Sequence, residues 1–121
     1  MDQIAFESLI HKVIRELPLE FRNRLENVVV IVEDYPSQEL KERLGIADED
    51  TLFGLYEGVP MTERGFFQQP LYPDRIVIFQ RALEDECQSV EEFKEELKAT
   101  LVHEVAHFFG IDDDHLEELG Y

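Results

Sequence analysis

Cysteine is almost absent from the sequence, in which Cys87 is the single example, and tryptophan does not occur at all. One cysteine cannot form a disulfide framework within the chain, and it cannot build a zinc site from several thiolates. This usage favours a reducing compartment, so we expect a cytoplasmic protein. Any metal site in the chain must then be built from imidazole and carboxylate groups.

Basic residues are scarce as well, with 11 Lys and Arg against 28 Asp and Glu, which gives a formal net charge of −17. A chain this negative repels the phosphate backbone, so nucleic acid is not an expected partner. The simplest role of the charge is to keep the protein in solution, and attraction of a basic protein partner is the alternative.

Long apolar runs are also missing, since none reaches the roughly 20 residues that a membrane-spanning helix needs. The first ten residues, MDQIAFESLI, do not place a basic region before a long apolar one, as a secretory signal would. Against these absences, 44% of the 121 residues are hydrophobic, enough for one domain with a core over residues 1–121. We expect no membrane association, and a monomer by default.

Hydrophobic periodicity divides the chain into helices and strands. It predicts helices over residues 3–16, about 19–25, 38–44 and 90–109, a last helical turn in 113–119, and strands over 27–33, 51–59 and 74–80. The β-branched run of the first strand suggests burial on both faces, and Gly54 in the second suggests a bulge or a close backbone approach. The longest predicted loop, 60–73, holds three of the five prolines. The pattern indicates an α+β fold with a small sheet.

The longest predicted helix carries a pair of histidines in its second half. His103 and His107 are four residues apart, so their imidazoles share one face of the helix and are spaced to hold one metal ion. Glu104 lies about 100° around the helix from His103, near enough to reach a water on that ion without being a ligand. In this His-Glu-x-x-His arrangement the ion acidifies its bound water and the glutamate takes the proton. The motif predicts one zinc ion, with Glu104 as the general base.

The residues after the motif extend it toward a third ligand. Gly110 permits a sharp turn, beyond which the chain can double back toward the ion. By register the third ligand is Asp113, and His115 is the alternative, although its spacing is two residues longer than the usual pattern. Asp112 and Asp114 are weaker candidates, either as groups that orient a histidine or as part of a solvated turn that caps the last helix.

The surroundings of the motif also favour a metal site over a structural role for the histidines. Apolar side chains cover most of the helix surface around it, namely Leu101, Val102, Val105, Ala106, Phe108 and Phe109. Burying these polar groups among them without a metal or a solvent-filled cleft would cost roughly 1–3 kcal/mol for each group.

On these residues the chain resembles the small bacterial zincin-like metallopeptidases, single-domain proteins likened to a minimal metzincin. The resemblance rests on LPLEFRNRLENVVVIVEDYP, LFGLYEGVP, RIVIFQ and above all HEVAHFFGIDDD. It implies a three-stranded sheet packed on the long helix, with a cleft beside the edge strand. It also implies zinc on His103, His107 and Asp113, with Glu104 as base. Classical metzincins carry a methionine turn after this helix, whereas Met1 and Met61 both precede it here.

Three functions follow from the sequence. The first is a zinc-dependent metallopeptidase acting on a peptide or protein substrate, which would add as a strand to the sheet edge. The second is a catalytically weak or inactive module, stabilised by its metal, that docks a basic protein partner. The third is a zinc-dependent ribonuclease of the ribosomal-RNA maturation type. Its three-histidine spacing matches positions 103, 107 and 113, but here residue 113 is Asp and Glu104 follows the first histidine.

Overall fold

The structure is a computed structural model that describes residues 1–58 and 74–121, and six helices and three strands lie in these two ranges. In chain order they are α1 (Gln3–Glu16), α2 (Leu19–Leu25), β1 (Val29–Glu33), α3 (Gln38–Leu44), β2 (Gly54–Glu57), β3 (Arg75–Phe79), α4 (Gln80–Glu86), α5 (Val90–Phe109) and α6 (Asp113–Glu118). The loop predicted at 60–73 lies outside the described residues. Among the described helices, none combines the length and the hydrophobicity needed to cross a bilayer.

The three strands form one mixed sheet in the order β1-β3-β2. Strand β1 runs parallel to β3, with Val29 opposite Arg75, and β2 runs antiparallel to it, with Gly54 opposite Ile78. The central strand β3 is the most buried of the three, and Arg75 is its one exposed residue. This arrangement confirms the predicted α+β fold with a small, three-stranded sheet.

Strand β1 is less buried than the sequence suggested. Its three middle residues are half-buried and its two ends are exposed, with Val29 at 46%. The prediction of burial on both faces was wrong because β1 lies at an edge of the sheet, where fewer elements can cover it. A β-branched run is therefore compatible with an edge strand that has a parallel partner on one side.

Helix α5 is the centre of the core. It contacts α1, α2, α4 and strand β2. Each of its inward side chains has another one three or four residues away, which is the spacing that builds a continuous helix face. The buried residues of α5 are Phe93, Leu97, Leu101, Val102, Val105 and Ala106. Because α5 is packed on several sides, its backbone is held in place. The side chains on its remaining face therefore project from fixed positions.

Both ends of α5 are capped. The Ser89 hydroxyl accepts a hydrogen bond from the Glu92 backbone N–H at 3.0 Å, and the Glu92 carboxylate accepts from the Gln88 N–H at 3.3 Å. At the other end Gly110 adopts a φ of 70°, a left-handed conformation that glycine enters without strain. The Ile111 N–H then bonds back to the Ala106 carbonyl at 2.9 Å.

Helix α4 was not predicted from the sequence. It follows β3 without an intervening turn, and its N-cap residue, Phe79, offers no side-chain hydrogen bond. The sequence therefore lacks a capping signal at this point, and the strand was extended to Gln80 instead. The α4 residue Ala82 packs with Val77 and Phe79 in a second, smaller core cluster.

Gly54 lies where α5 approaches β2 most closely, as the sequence suggested. A Cβ atom at this position would lie 2.7 Å from Thr100 Cγ2 and 3.3 Å from the Val77 carbonyl oxygen. We expect Gly54→Ala to lower the free energy of unfolding by about 1–3 kcal/mol, because overpacking forces neighbouring atoms apart. Urea unfolding of both proteins measures this difference.

A second substitution tests the cause of that loss. Thr100→Ser removes the methyl group that the new Cβ would meet but keeps the hydroxyl, which donates to the Glu96 carbonyl at 2.8 Å. In the Gly54→Ala protein, Thr100→Ser should restore part of the lost stability. In the wild-type protein it should not increase the stability. Equal stability of Gly54→Ala and wild type would contradict the close approach.

Candidate metal and catalytic site

The two histidines of the motif lie on the open face of α5. His103 and His107 are both exposed to solvent, whereas the apolar residues beside them turn into the core. Their ring centroids are 6.5 Å apart, and the rings are inclined by 54°. The polar groups of this apolar helix are thus accessible to solvent, and rotation about their side-chain bonds can change the separation of the rings.

Glu104 lies between these histidines and the sheet. Its side chain is 20% exposed. One carboxylate oxygen accepts a hydrogen bond from the Tyr56 backbone N–H at 3.1 Å, and the other lies 4.0 Å from Nδ1 of His107. Because Tyr56 belongs to β2, which pairs with β3 through its other side, the carboxylate occupies the edge of this strand that no other strand within residues 1–58 and 74–121 pairs with. Glu104 therefore joins the histidine face of α5 to the sheet edge.

Burial changes the acidity of this carboxyl group. Loss of solvent raises the pKa of Glu104 above its ordinary value, against the opposing effects of the Tyr56 N–H and of the two imidazoles. A raised pKa brings a carboxylate closer to the working pH and makes it a better proton acceptor. The environment of Glu104 is therefore suited to general base chemistry.

The third predicted ligand, Asp113, is not brought to the histidines. It is the first residue of α6 and is exposed. Within residues 1–58 and 74–121, no three His, Cys, Asp or Glu side chains are close enough together to bind an ion. The structure thus places His103, His107 and Glu104 on one stretch of α5 without a third metal ligand beside them in the described ranges, and the assignment of Asp113 as a ligand stays a prediction.

The competing candidates already have other partners. Nε2 of His115 lies 2.8 Å from a Glu20 carboxylate oxygen, and its Nδ1 lies 3.8 Å from Glu118. Asp112 is the N-cap of α6, and its carboxylate accepts from the His115 N–H at 2.8 Å. Binding of either residue to a metal would cost these contacts, which favours Asp113 as the third ligand. Asp114 is exposed in the first turn of α6.

The pair of Glu20 and His115 connects α2 to α6, and it should make stability depend on pH. The hydrogen bond to Glu20 raises the pKa of His115 above its ordinary value. Since the pKa is higher in the folded chain, the contribution of the pair is complete below the unfolded value, roughly 6.5, and is lost as pH rises through the folded value. We expect metal-free wild type to exceed Glu20→Gln in melting temperature by more at pH 6 than at pH 9.

The comparison has an internal control. Glu117 is an exposed residue of α6, and Glu117→Gln removes the same charge. The difference in melting temperature between wild type and Glu20→Gln could be the same at both pH values, or Glu117→Gln could lower the melting temperature with the same pH dependence. Either result would show that His115 is not responsible.

The donor atoms of the site suit zinc. The two imidazoles are nitrogen ligands that zinc accepts, and a catalytic zinc site uses three protein ligands with one position left open. Neither histidine belongs to the hydrophobic core, so an ion bound to both would lie at the surface of the protein.

Aromatic residues form a wall beside the site that sequence reasoning did not find. The Tyr56 ring lies 4.3 Å from that of Phe108 and 5.7 Å from that of Phe109, measured between centroids. Arg24 of α2 lies over the Phe109 ring at 4.6 Å. Phe108 and Phe109 are 43% and 40% exposed. The role of the Tyr56 backbone has no signal in the sequence, because every residue except proline carries the same N–H group.

The chain is similar to a known family and to a solved structure. A family profile described as a zincin-like metallopeptidase matches residues 25–121. No curated protein matches the sequence. Among solved structures, a conserved hypothetical protein from Thermus thermophilus is similar, with 21% identity and a TM-score of 0.59, over 98% of this chain and 97% of that one. At this identity the likeness concerns the fold, and it extends over nearly the whole of both chains.

Proposed function

Because the chain belongs to the zincin-like metallopeptidase family, we propose that it is a zinc-dependent peptidase that uses Glu104 as its general base. The observation that carries this proposal is the position of the Glu104 carboxylate. It is partly buried between His107 and the edge of β2 opposite β3, where a proton acceptor would face both a metal and a bound peptide. The cysteine usage of the chain supports a cytoplasmic location for this activity.

His103, His107 and Asp113 would hold the ion. Bound zinc supplies a Lewis acid, which lowers the pKa of water and polarises a carbonyl oxygen. Asp113 would cancel one unit of the positive charge of the ion, so the water would be less acidic than with three neutral imidazoles. The proton-accepting ability of Glu104 therefore matters more with this ligand set.

Glu104 would carry the proton during the reaction. It accepts a proton from the attacking water, whose oxygen forms a bond to the peptide carbonyl carbon. The bond between that carbon and the amide nitrogen then breaks, and Glu104 passes the proton to the departing amine. The raised pKa of the Glu104 carboxyl favours both transfers, since a very weak base would not take the proton and a very strong one would not release it.

The edge of β2 opposite β3 would receive the substrate. An extended peptide can add to a sheet edge through backbone hydrogen bonds, and the carboxyl end of β2 lies beside Glu104. A peptide carbonyl that accepts from the Tyr56 N–H would compete with Glu104 for this donor. Substrate binding would thus release the carboxylate from the strand at the point where its proton chemistry is needed.

Metal removal and return tests the proposal. We expect the purified chain, supplied with zinc, to hydrolyse an internally quenched peptide mixture, to lose this activity with a chelator and to regain it when zinc is added back. Residual proteases are controlled for with the His107→Ala protein purified in the same way. Absence of hydrolysis by the zinc-loaded protein over a broad peptide mixture would argue against a peptidase.

The net charge supports a second candidate. A charge of −17 would steer a basic protein toward the chain, and the metal would then stabilise a docking surface instead of a reaction. A docking module would bind its partner equally well with Gln at position 104, whereas a peptidase would lose its activity.

A further inference from the structure

A cavity of about 400 Å³ opens beside His103. It lies between the middle of α5 and the last residues of the chain, and none of the catalytic roles above uses it. Its walls are formed by Glu95, Lys98, Ala99, His103, Leu119 and the segment 120–121. Because His103 is one of its walls, a peptide bound at the histidine pair can extend into this space.

Lys98 gives the cavity a positive group. Its side chain is half-buried, and the ammonium nitrogen lies 5.7 Å from the centroid of the Tyr121 ring. The face of an aromatic ring attracts a cation, so the ring helps to hold the ammonium group at the cavity wall. In the part of the chain that the structure describes, no carboxylate forms an ion pair with it. Acidic residues outnumber basic ones by 28 to 11, yet this cation is left available to a ligand.

Lys98 and Glu95 line the cavity at different positions along α5. Lys98 is five residues from His103, or about 7.5 Å along the helix axis, whereas Glu95 is eight residues away, or about 12 Å. Measured along this axis, Lys98 is therefore closer to His103 than Glu95 is. One extended peptide residue spans about 3.3–3.6 Å, so a group two or three residues from the scissile bond can reach Lys98.

We infer that the cavity between α5 and the segment 119–121 binds a carboxylate of the peptide substrate through Lys98. The inference rests on the proposed function, because it takes the histidine pair as the place where the peptide bond is held. The carboxylate belongs either to an acidic side chain or to the free C-terminus of a short peptide. Glu95 lines the same cavity and opposes this preference, whereas the charges farther than about 8 Å from Lys98 are largely screened at physiological salt.

Binding to a protein that cannot turn over tests the cavity without depending on catalysis. Zinc-loaded Glu104→Gln protein is titrated with three fluorescent alanine-based hexapeptides. The first has one Glu near the middle and an amidated C-terminus, the second has no acidic residue and a free C-terminus, and the third has neither carboxylate. We expect one of the first two peptides to bind more tightly than the third. Lys98→Met should weaken the binding of this tighter peptide about three- to tenfold.

Two further variants make the result specific. Lys98→Arg keeps the positive charge and should retain most of the preference, while Lys94→Met removes a half-buried lysine of the same helix that does not line the cavity, and should change nothing. A preference for the first peptide identifies an acidic side chain, and a preference for the second identifies a C-terminal carboxylate.

The two ideas fail in different ways. The role of Lys98 would be overturned if all three peptides bind equally well. It would also be overturned if Lys94→Met weakens peptide binding as much as Lys98→Met does. Both conclusions hold even if the wild type hydrolyses peptides. The preference could depend on Lys98 although the wild type hydrolyses none of the three peptides. This result would support carboxylate binding in the cavity and count against the proposed peptidase activity.

Discussion

Glu104→Gln should reduce kcat/KM for peptide hydrolysis by about 10²–10⁴-fold, while the fold and the zinc content stay unchanged. This is the range that a positioned general acid–base residue contributes. The amide oxygen of Gln can still accept the hydrogen bond from the Tyr56 N–H, so the contact between α5 and β2 is kept. The amide cannot take a proton from water, however, and the reaction loses its base. Initial rates with an internally quenched peptide measure the loss.

A matched change on the same helix controls for the removal of charge. Glu96 is exposed on α5, and its carboxylate makes no hydrogen bond or ion pair to another described residue. Glu96→Gln should change kcat/KM by no more than about twofold, because the charge of an exposed side chain is screened by solvent and salt. Full activity in Glu104→Gln, with zinc bound, would remove Glu104 from the mechanism and require a different general base.

His107→Ala should lower the zinc content from about one ion per chain to none, with an unchanged circular dichroism spectrum. A site that loses one of its two imidazoles loses most of its affinity, because binding depends on the number of ligands the chain supplies. The fold should survive, since the His107 side chain is 76% exposed and outside the core. Metal analysis after dialysis against a weak chelator gives the content.

The corresponding control is His11→Ala, which removes an exposed imidazole from α1. It should leave the zinc content at the wild-type value. If His11→Ala and His107→Ala lower the content alike, the metal is bound adventitiously at surface histidines. If His107→Ala keeps its zinc, the ion is held elsewhere in the chain.

The sequence predicted best the parts of the fold that depend on local signals. The bounds of α1 agree with the predicted range because its apolar residues recur at helical spacing, and those of α5 agree because Ser89 and Gly110 mark its two ends. Helix α4 lacks such a cap and was missed. The burial of β1 was overestimated because its place at the sheet edge depends on strand order, which no local pattern records.

The candidate site likewise has parts that the sequence predicted and parts that it did not. The spacing of His103 and His107 along one helix placed both rings on a common face, as the structure has them. The hydrogen bond between Tyr56 and Glu104 joins residues 48 positions apart, and it depends on how β2 docks against α5. The engagement of His115 with Glu20 likewise depends on the packing of α2 against α6. Contacts of this range follow from tertiary packing and not from motif spacing.

The carboxylate at the edge of β2 also bears on strand addition by a second copy of the chain. A strand edge that is left unpaired is a template on which another chain can add a strand, and natural proteins block such edges with charged groups. Glu104 takes up the Tyr56 N–H on the side of β2 opposite β3, with a side chain that is only 20% exposed. We therefore expect the side chain to which we assign chemistry also to oppose aggregation through this edge, and truncating it to alanine to remove both properties at once.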